Sequence, residues 1–319
     1  MLSTSSTTRS IRLREPDWSL DLVDDLSDLR VLITGATSGI GLETARALTE
    51  RGAKVIIGAR DDVKAEQALE SIRSSTPDAR ISSHHLDLAS LESIRRFAVE
   101  ISEQNSAIDL LINNAGVMLL PYGVTDDGFE LHFGTNHLGH FALTGLLLPT
   151  VERAPSPRIV TVASLAHRDA TLDLADLHDD NGATYQPMAA YRRSKLANLV
   201  FGYELDRRLR AAGMKARSLA AHPGLADTNL ANHLADRLWW KVARPTIGLL
   251  IQNSDDGALP TIRAGLDQTL TGGEYVGPGR LRETFGPPVV VESTSESHDP
   301  ALAERLWDVS AELTGVRYL

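Results

Sequence analysis

A turn of three glycines at the end of the first apolar run constrains this chain more than any other feature. Val31-Leu32-Ile33 leads straight into Thr34-Gly35-Ala36-Thr37-Ser38-Gly39-Ile40-Gly41, and an amphipathic segment then runs to about Arg51. Glycines spaced G-x3-G-x-G between a strand and a helix let the backbone turn tightly. Such a turn brings main-chain N–H groups up to a pyrophosphate, and the helix N-terminus adds the positive end of its dipole. A glycine triplet alone is an ordinary tight turn. Its place at the first strand–helix junction makes Gly35, Thr37, Ser38, Gly39, Ile40 and Gly41 candidates for holding a dinucleotide.

The pattern repeats downstream. Predicted strands at Lys54-Val55-Ile56-Ile57, 81–85, Leu110-Leu111-Ile112, 158–162 and about 216–221 alternate with helical segments at 63–73, 91–102, 128–151 and 189–212. Runs that are apolar on both faces are strands of a parallel sheet covered by helices. The chain is therefore predicted to be α/β, with a single Rossmann-type doubly wound parallel sheet and helices on both faces. Residues 225–250 break the alternation and read as a helical substrate-lid insertion. Residues 270–319 carry a glycine- and proline-rich patch, Thr271-Gly272-Gly273 and Gly277-Pro278-Gly279, and a final helix near 300–313. With 319 residues, one large domain is expected over 29–319. Residues 1–28 read as an N-terminal extension whose Trp18, Leu20, Leu22, Val23 and Leu26 pack on that domain.

Composition removes several alternatives. No cysteine is present, which excludes disulfide scaffolds, thiolate catalysis and thiolate metal sites. There are 32 basic and 42 acidic residues, a net charge of −10. A nucleic-acid binder needs a basic face, so no nucleic-acid partner is expected. The first ten residues lack the apolar region of a secretory signal. No stretch reaches ~18 uninterrupted apolar residues, so no membrane anchor is expected and a cytoplasmic location is read.

The glycine spacing departs from the common G-x-G-x-x-G. It resembles that of the short-chain dehydrogenase/reductase family, whose signature is T-G-x3-G-x-G, and the resemblance extends from about Asp25 to the C-terminus. In that family an acid often ends the second strand and signals NAD(H); the matching position here is Ala59 in Gly58-Ala59-Arg60-Asp61. Arg60 follows, and a guanidinium suits the 2′-phosphate of NADP(H). NADP(H) is thus expected over NAD(H), unless Arg60 merely opens a surface helix that Asp61 caps. Asp87-Leu88 resembles the family's adenine-contacting pair. Asn113-Asn114-Ala115-Gly116 matches its N-N-A-G motif, placing Asn114, Ala115 and Gly116 at the floor of the cofactor cleft.

Tyr191-Arg192-Arg193-Ser194-Lys195 is Y-x3-K. On a helix, residues i and i+4 share a face, so the phenol and the ammonium enter one space. A free Tyr has a pKa of about 10. A nearby ammonium, with the positive oxidised nicotinamide, is expected to lower it, so that Tyr191 works as general acid/base. Lys195 would also hold the nicotinamide ribose. Ser164 ends the fifth strand, where its hydroxyl polarises a carbonyl; where the family often has two serines, this chain has Ala163 then Ser164. Asn136, in Thr135-Asn136-His137-Leu138-Gly139-His140, matches the family's fourth catalytic residue, with the implied role of holding a water in a proton relay to Lys195. Pro223 and Gly224, in Ala221-His222-Pro223-Gly224, resemble the family's P-G motif beside the nicotinamide. Thr228 matches a carboxamide contact.

Ser194-Lys195-Leu196-Ala197-Asn198 and Asn136-His137-Leu138-Gly139-His140 look most like the retinol-dehydrogenase-like branch. The resemblance implies hydride exchange with a small apolar ketone, aldehyde or alcohol, and pairing into a homo-oligomer through the helices carrying Asn136 and Tyr191. Trp239 and Trp240 either wall an apolar pocket or serve as core or oligomer contacts. His132, His137 and His140 lie close together, but no paired carboxylate is placed to complete a metal site, and none is expected. Two other readings remain. One is a non-catalytic NADP-sensing or scaffold protein of the same fold. The other is a reductase of an activated C=C bond, although the cysteine that related enzymes use for this is absent.

Overall fold

The computed structural model describes residues 18–23, 25–178, 180–225 and 253–319. Eight strands form one sheet: β1 Arg30–Thr34, β2 Lys54–Ala59, β3 Ile81–His85, β4 Leu110–Asn113, β5 Arg158–Val162, β6 Arg217–Ala221, β7 Tyr275–Arg280 and β8 Phe285–Val291. Their order is β3-β2-β1-β4-β5-β6-β7-β8, parallel up to β7 and antiparallel between β7 and β8. The order reverses between β1 and β4. A crevice opens there at the carboxyl ends of the strands, where doubly wound sheets bind their ligands.

Among the described residues the helices are α1 Gly39–Glu50, α2 Asp62–Ser75, α3 Leu91–Gln104, a short α4 Leu131–Phe133, α5 Gly139–Val151, α6 Pro187–Ala211, α7 Ser254–Leu266 and α8 Pro300–Thr314. Strand side chains alternate between two cores. Val31, Ile33, Val55, Ile57 and Ile112 pack with Leu48 of α1, Leu69 of α2 and Ile262 of α7. Leu32, Ile56, Leu111 and Ile159 pack on the other face with Phe97 of α3, Phe141 of α5 and Phe201 of α6. Both faces of the central strands are dry, which is why these strands read as unbroken apolar runs.

Trp18 is buried in the first core, with Leu20, Val23 and Leu26 against it. Leu22 instead faces solvent. The glycine- and proline-rich patch holds two strands the sequence did not announce. Pro278 of β7 stands opposite Pro288 of β8, and residues without an N–H are tolerated because the sheet ends there.

At the opposite corner, Asp299 caps α8 by accepting from Ala301 N at 2.9 Å, and α8 lies across α5 and α6. Trp307 packs edge-on to Phe141, and the Tyr318 hydroxyl donates to the Phe141 carbonyl at 3.1 Å. The chain's own C-terminal segment thus packs on one side of the helices through which the resemblance implies pairing. The expected lid over 225–250, with Trp239 and Trp240, lies outside the described residues apart from Leu225, as does Thr228.

Candidate active site

The glycine turn sits at the mouth of the β1/β4 crevice. Gly35 takes φ +69, and a Cβ there would run into Ala115, so glycine is needed both for the turn and for the close approach of the loop after β4. Asn114 closes the turn from behind: its Nδ2 donates to the Thr34 carbonyl at 2.8 Å and its N–H to Thr34 Oγ1 at 3.0 Å. Ser38 is the N-cap of α1, yet its side chain makes no capping bond. The first-turn N–H groups of α1 have no intrahelical acceptors and remain an anion-ready cradle.

At the end of β2 the two neighbours separate in role. Asp61 is the N-cap of α2, accepting from Lys64 N at 3.0 Å, and this bond holds its carboxyl below the usual value. Arg60 is exposed, and its side chain makes no hydrogen bond or ion pair among the described residues. Asp87 turns one carboxylate oxygen onto Ala89 N at 2.9 Å, and Leu88 is buried against Gly139. Gly116 stands between Asn136 and Lys195: a Cβ there would lie 3.3 Å from Asn136 Oδ1 and 3.4 Å from Lys195 Nζ. Gly35, Asn114, Ala115 and Gly116 thus meet at the carboxyl ends of β1 and β4, beside the N-terminal N–H groups of α1 and the exposed Arg60 at the end of β2. That arrangement fits a dinucleotide.

Asn136, Ser164, Tyr191 and Lys195 come from three elements and converge beyond Gly116. Ser164 follows β5 by two residues and caps the short helical turn Leu165–Asp169. Its hydroxyl is near enough to the Tyr191 hydroxyl to act on that phenol, pulling its pKa down. Lys195, one turn further along α6, is buried, and its Nζ donates to the Val162 carbonyl at 3.0 Å and lies 5.9 Å from the Tyr191 ring centroid. Burial pushes the Lys195 ammonium down to about 8.

Asn136 lies in a π-helical turn, Gly134–Leu138, where the Gly139 N–H reaches back five residues to the Gly134 carbonyl. Such turns often mark functional sites. Its side chain is fully committed: Oδ1 accepts from Val117 N at 2.7 Å, and Nδ2 donates to the Val117 carbonyl at 3.0 Å and to Ser194 Oγ at 2.9 Å.

One expectation needs correction. Tyr191 is not lowered by Lys195 in the chain itself. Burial raises the phenol above its ordinary value, and the Ser164 hydroxyl pulls the other way without overcoming it.

Sequence reasoning passed over three supporting groups. Thr34 and Ser194 bond directly to assigned site residues, and Glu130 is a fully buried carboxylate nearby. Glu130 accepts from Phe133 N at 2.7 Å, His132 Nδ1 at 2.9 Å and the Tyr185 hydroxyl at 2.9 Å. Burial would raise this carboxyl, but the bonds from the His132 ring and the His132 and Phe133 N–H groups leave it lowered. The His132 ring stands 6.4 Å from the Tyr191 ring, and Tyr122 packs edge-on to Tyr185 at 5.4 Å. The usable signal was the spacing of Glu130 and His132 just ahead of the segment bearing Asn136. The histidines once weighed as metal ligands are spent elsewhere: His137 on Ser310 of α8 at 2.9 Å, and His140 on Thr34 and Asn136.

Comparison with known proteins places the chain among relatives of one family. A family model described as short chain dehydrogenase matches residues 30–175. Human retinol dehydrogenase 13 is 40% identical over 291 residues, 90% of this chain and 84% of that protein. Human polyprenol dehydrogenase is 38% identical over 298 residues, 91% of this chain and 86% of that protein. A crystal structure of an uncharacterized protein from Mycobacterium paratuberculosis superposes with a TM-score of 0.79 at 40% identity, covering 95% of this chain and all of that one.

Proposed function

This chain belongs to the short-chain dehydrogenase family, in its retinol-dehydrogenase-like branch, and we propose that it is an NADP(H)-dependent oxidoreductase that interconverts an apolar ketone or aldehyde with its alcohol, Tyr191 acting as general acid/base. The observation that carries the reading is the convergence of Ser164, Tyr191 and Lys195 beside a glycine turn, with Asn136 behind them.

In this reading the N–H groups at the start of α1 hold the pyrophosphate, and Arg60 takes the 2′-phosphate while Asp61 is occupied in capping α2. Gly116, Pro223 and Gly224 line the nicotinamide end, and Lys195 holds the ribose hydroxyls. A nicotinamide bound there supplies the hydride, or takes it in the reverse direction. Ser164 orients the carbonyl oxygen and stabilises its developing charge. Tyr191 gives its proton to that oxygen as the carbon is reduced, and recovers one from the Lys195 side. The half-buried rings of Tyr122 and Tyr185, on the side of Tyr191 marked by His132, support an apolar substrate.

The test follows NADPH absorbance with the purified protein against apolar ketones, aldehydes and quinones. Saturable oxidation of NADPH by at least one carbonyl class is expected. Tight NADPH binding with no turnover across the panel would replace the enzyme by a cofactor sensor.

A further inference from the structure

An unbroken chain of hydrogen bonds runs from β1 to the helix that carries Tyr191. The Thr34 hydroxyl meets His140 Nε2 at 2.8 Å. His140 Nδ1 meets the Asn136 carbonyl at 2.8 Å. Asn136 Nδ2 donates to Ser194 Oγ at 2.9 Å, and Ser194 Oγ donates to the Tyr191 carbonyl at 2.8 Å. The same Thr34 oxygen accepts from Asn114 N and Ala115 N, each at 3.0 Å, at the floor of the groove.

The polarity of this chain is fixed. A main-chain carbonyl only accepts, so His140 Nδ1 carries the proton and the ring's Nε2 must accept. Thr34 therefore donates to His140, which leaves its lone pairs for the two N–H groups from the loop after β4. His140 is fully buried. Burial, with Lys195 acting in the same direction, takes its pKa down to about 4, so the neutral ring this pattern requires is the stable form. Few side chains can both donate to Asn136 and accept from Thr34 across that gap, and an apolar ring would strand both partners.

We propose that His140 is a positioning residue: its neutral imidazole braces the Asn136 carbonyl against β1 and so sets the helix bearing Tyr191 and Lys195 in register with the glycine turn. The proposal rests on the dehydrogenase reading of the site. β1 lies in the interior of the sheet and cannot shift, so loss of the brace displaces the α6 side, where the chemistry sits, rather than the groove that holds the cofactor.

Three substitutions separate this from a merely structural role. His140→Phe removes both bonds, His140→Gln keeps a donor and an acceptor, and His140→Asn keeps the donor to Asn136 but is too short to reach Thr34. Each would be measured for cooperative melting, for NADPH Kd by fluorescence and for kcat on the best substrate. His140→Phe is expected to lose about 10- to 100-fold in kcat with Kd changed less than about threefold, and His140→Gln to recover most of it. Should His140→Phe fail to fold, the comparison of His140→Gln with His140→Asn decides, with the asparagine variant the slower. Unchanged kcat in a folded His140→Phe, or equal kcat for the asparagine, glutamine and wild-type proteins, overturns the proposal. Failure of the wild-type protein to bind NADPH or turn over any carbonyl would instead sink the dehydrogenase reading beneath it.

Discussion

The Lys195 ammonium donates to the Val162 carbonyl at 3.0 Å, which pins a buried positive charge to the end of β5. Burial lowers its pKa from the ordinary lysine value to about 8. A folded-state pKa below the unfolded one means the unfolded chain binds the proton more tightly, so this group costs stability below pH 8 and relieves that cost as pH rises towards 10.5. Lys195→Met is therefore expected to melt no lower than wild type at pH 7 while losing at least about 100-fold in kcat. A marked drop in melting temperature with activity retained would show that the lysine serves the fold rather than the chemistry. Arginine, with its planar fork, is not expected to rescue activity.

Arg60 has no side-chain partner among the described residues, whereas Asp61 is held by the N-terminus of α2. The guanidinium is thus free to make a charge-assisted bond, worth roughly 1.5–3 kcal/mol to a charged group. Arg60→Ala is expected to weaken NADPH binding by about 10- to 100-fold and to leave NADH binding unchanged, as measured by fluorescence titration. Equal losses for both cofactors would remove Arg60 from 2′-phosphate recognition.

Burial holds His137 down to about 3 and His140 to about 4, and it also lowers His167 and His222. The unfolded chain protonates these rings near 6.5. Below that pH it binds protons that the folded chain refuses, so stability falls with acidification by up to about 1.4 kcal/mol per pH unit for each ring. Urea denaturation at pH 7.5, 6 and 5 should show a steep loss of stability well before carboxylates titrate. A flat profile down to pH 5 would contradict the assignment of these histidines as buried and neutral.

The parts of this molecule legible in the sequence are those that local pattern dictates. β1, β2, β4 and β5 are buried on both faces and could be read as strands because a covered parallel sheet demands it. The glycine turn and Y-x3-K were legible because each packs its chemistry into a few consecutive residues. β7 and β8 escaped because Gly277-Pro278-Gly279 and Pro287-Pro288 carry no strand signal; their pairing is imposed by the neighbouring β6. The brace through Thr34, His140 and Ser194 escaped for a related reason. Thr34 and His140 are 106 residues apart in the chain, and only the closed sheet brings them together. The direction of the Tyr191 shift depends on how much water the fold excludes, which motif spacing does not report.

The most direct test of the account is the NADPH-linked carbonyl reduction rate of Tyr191→Phe beside its NADPH affinity. The phenyl ring fills the same half-buried space, so binding should stay within about threefold of wild type while kcat falls by about 100- to 10,000-fold, the range of a lost proton donor. A variant that binds NADPH and still reduces the carbonyl at a near wild-type rate would show that the proton comes from elsewhere and that Tyr191 is not the acid/base of this site.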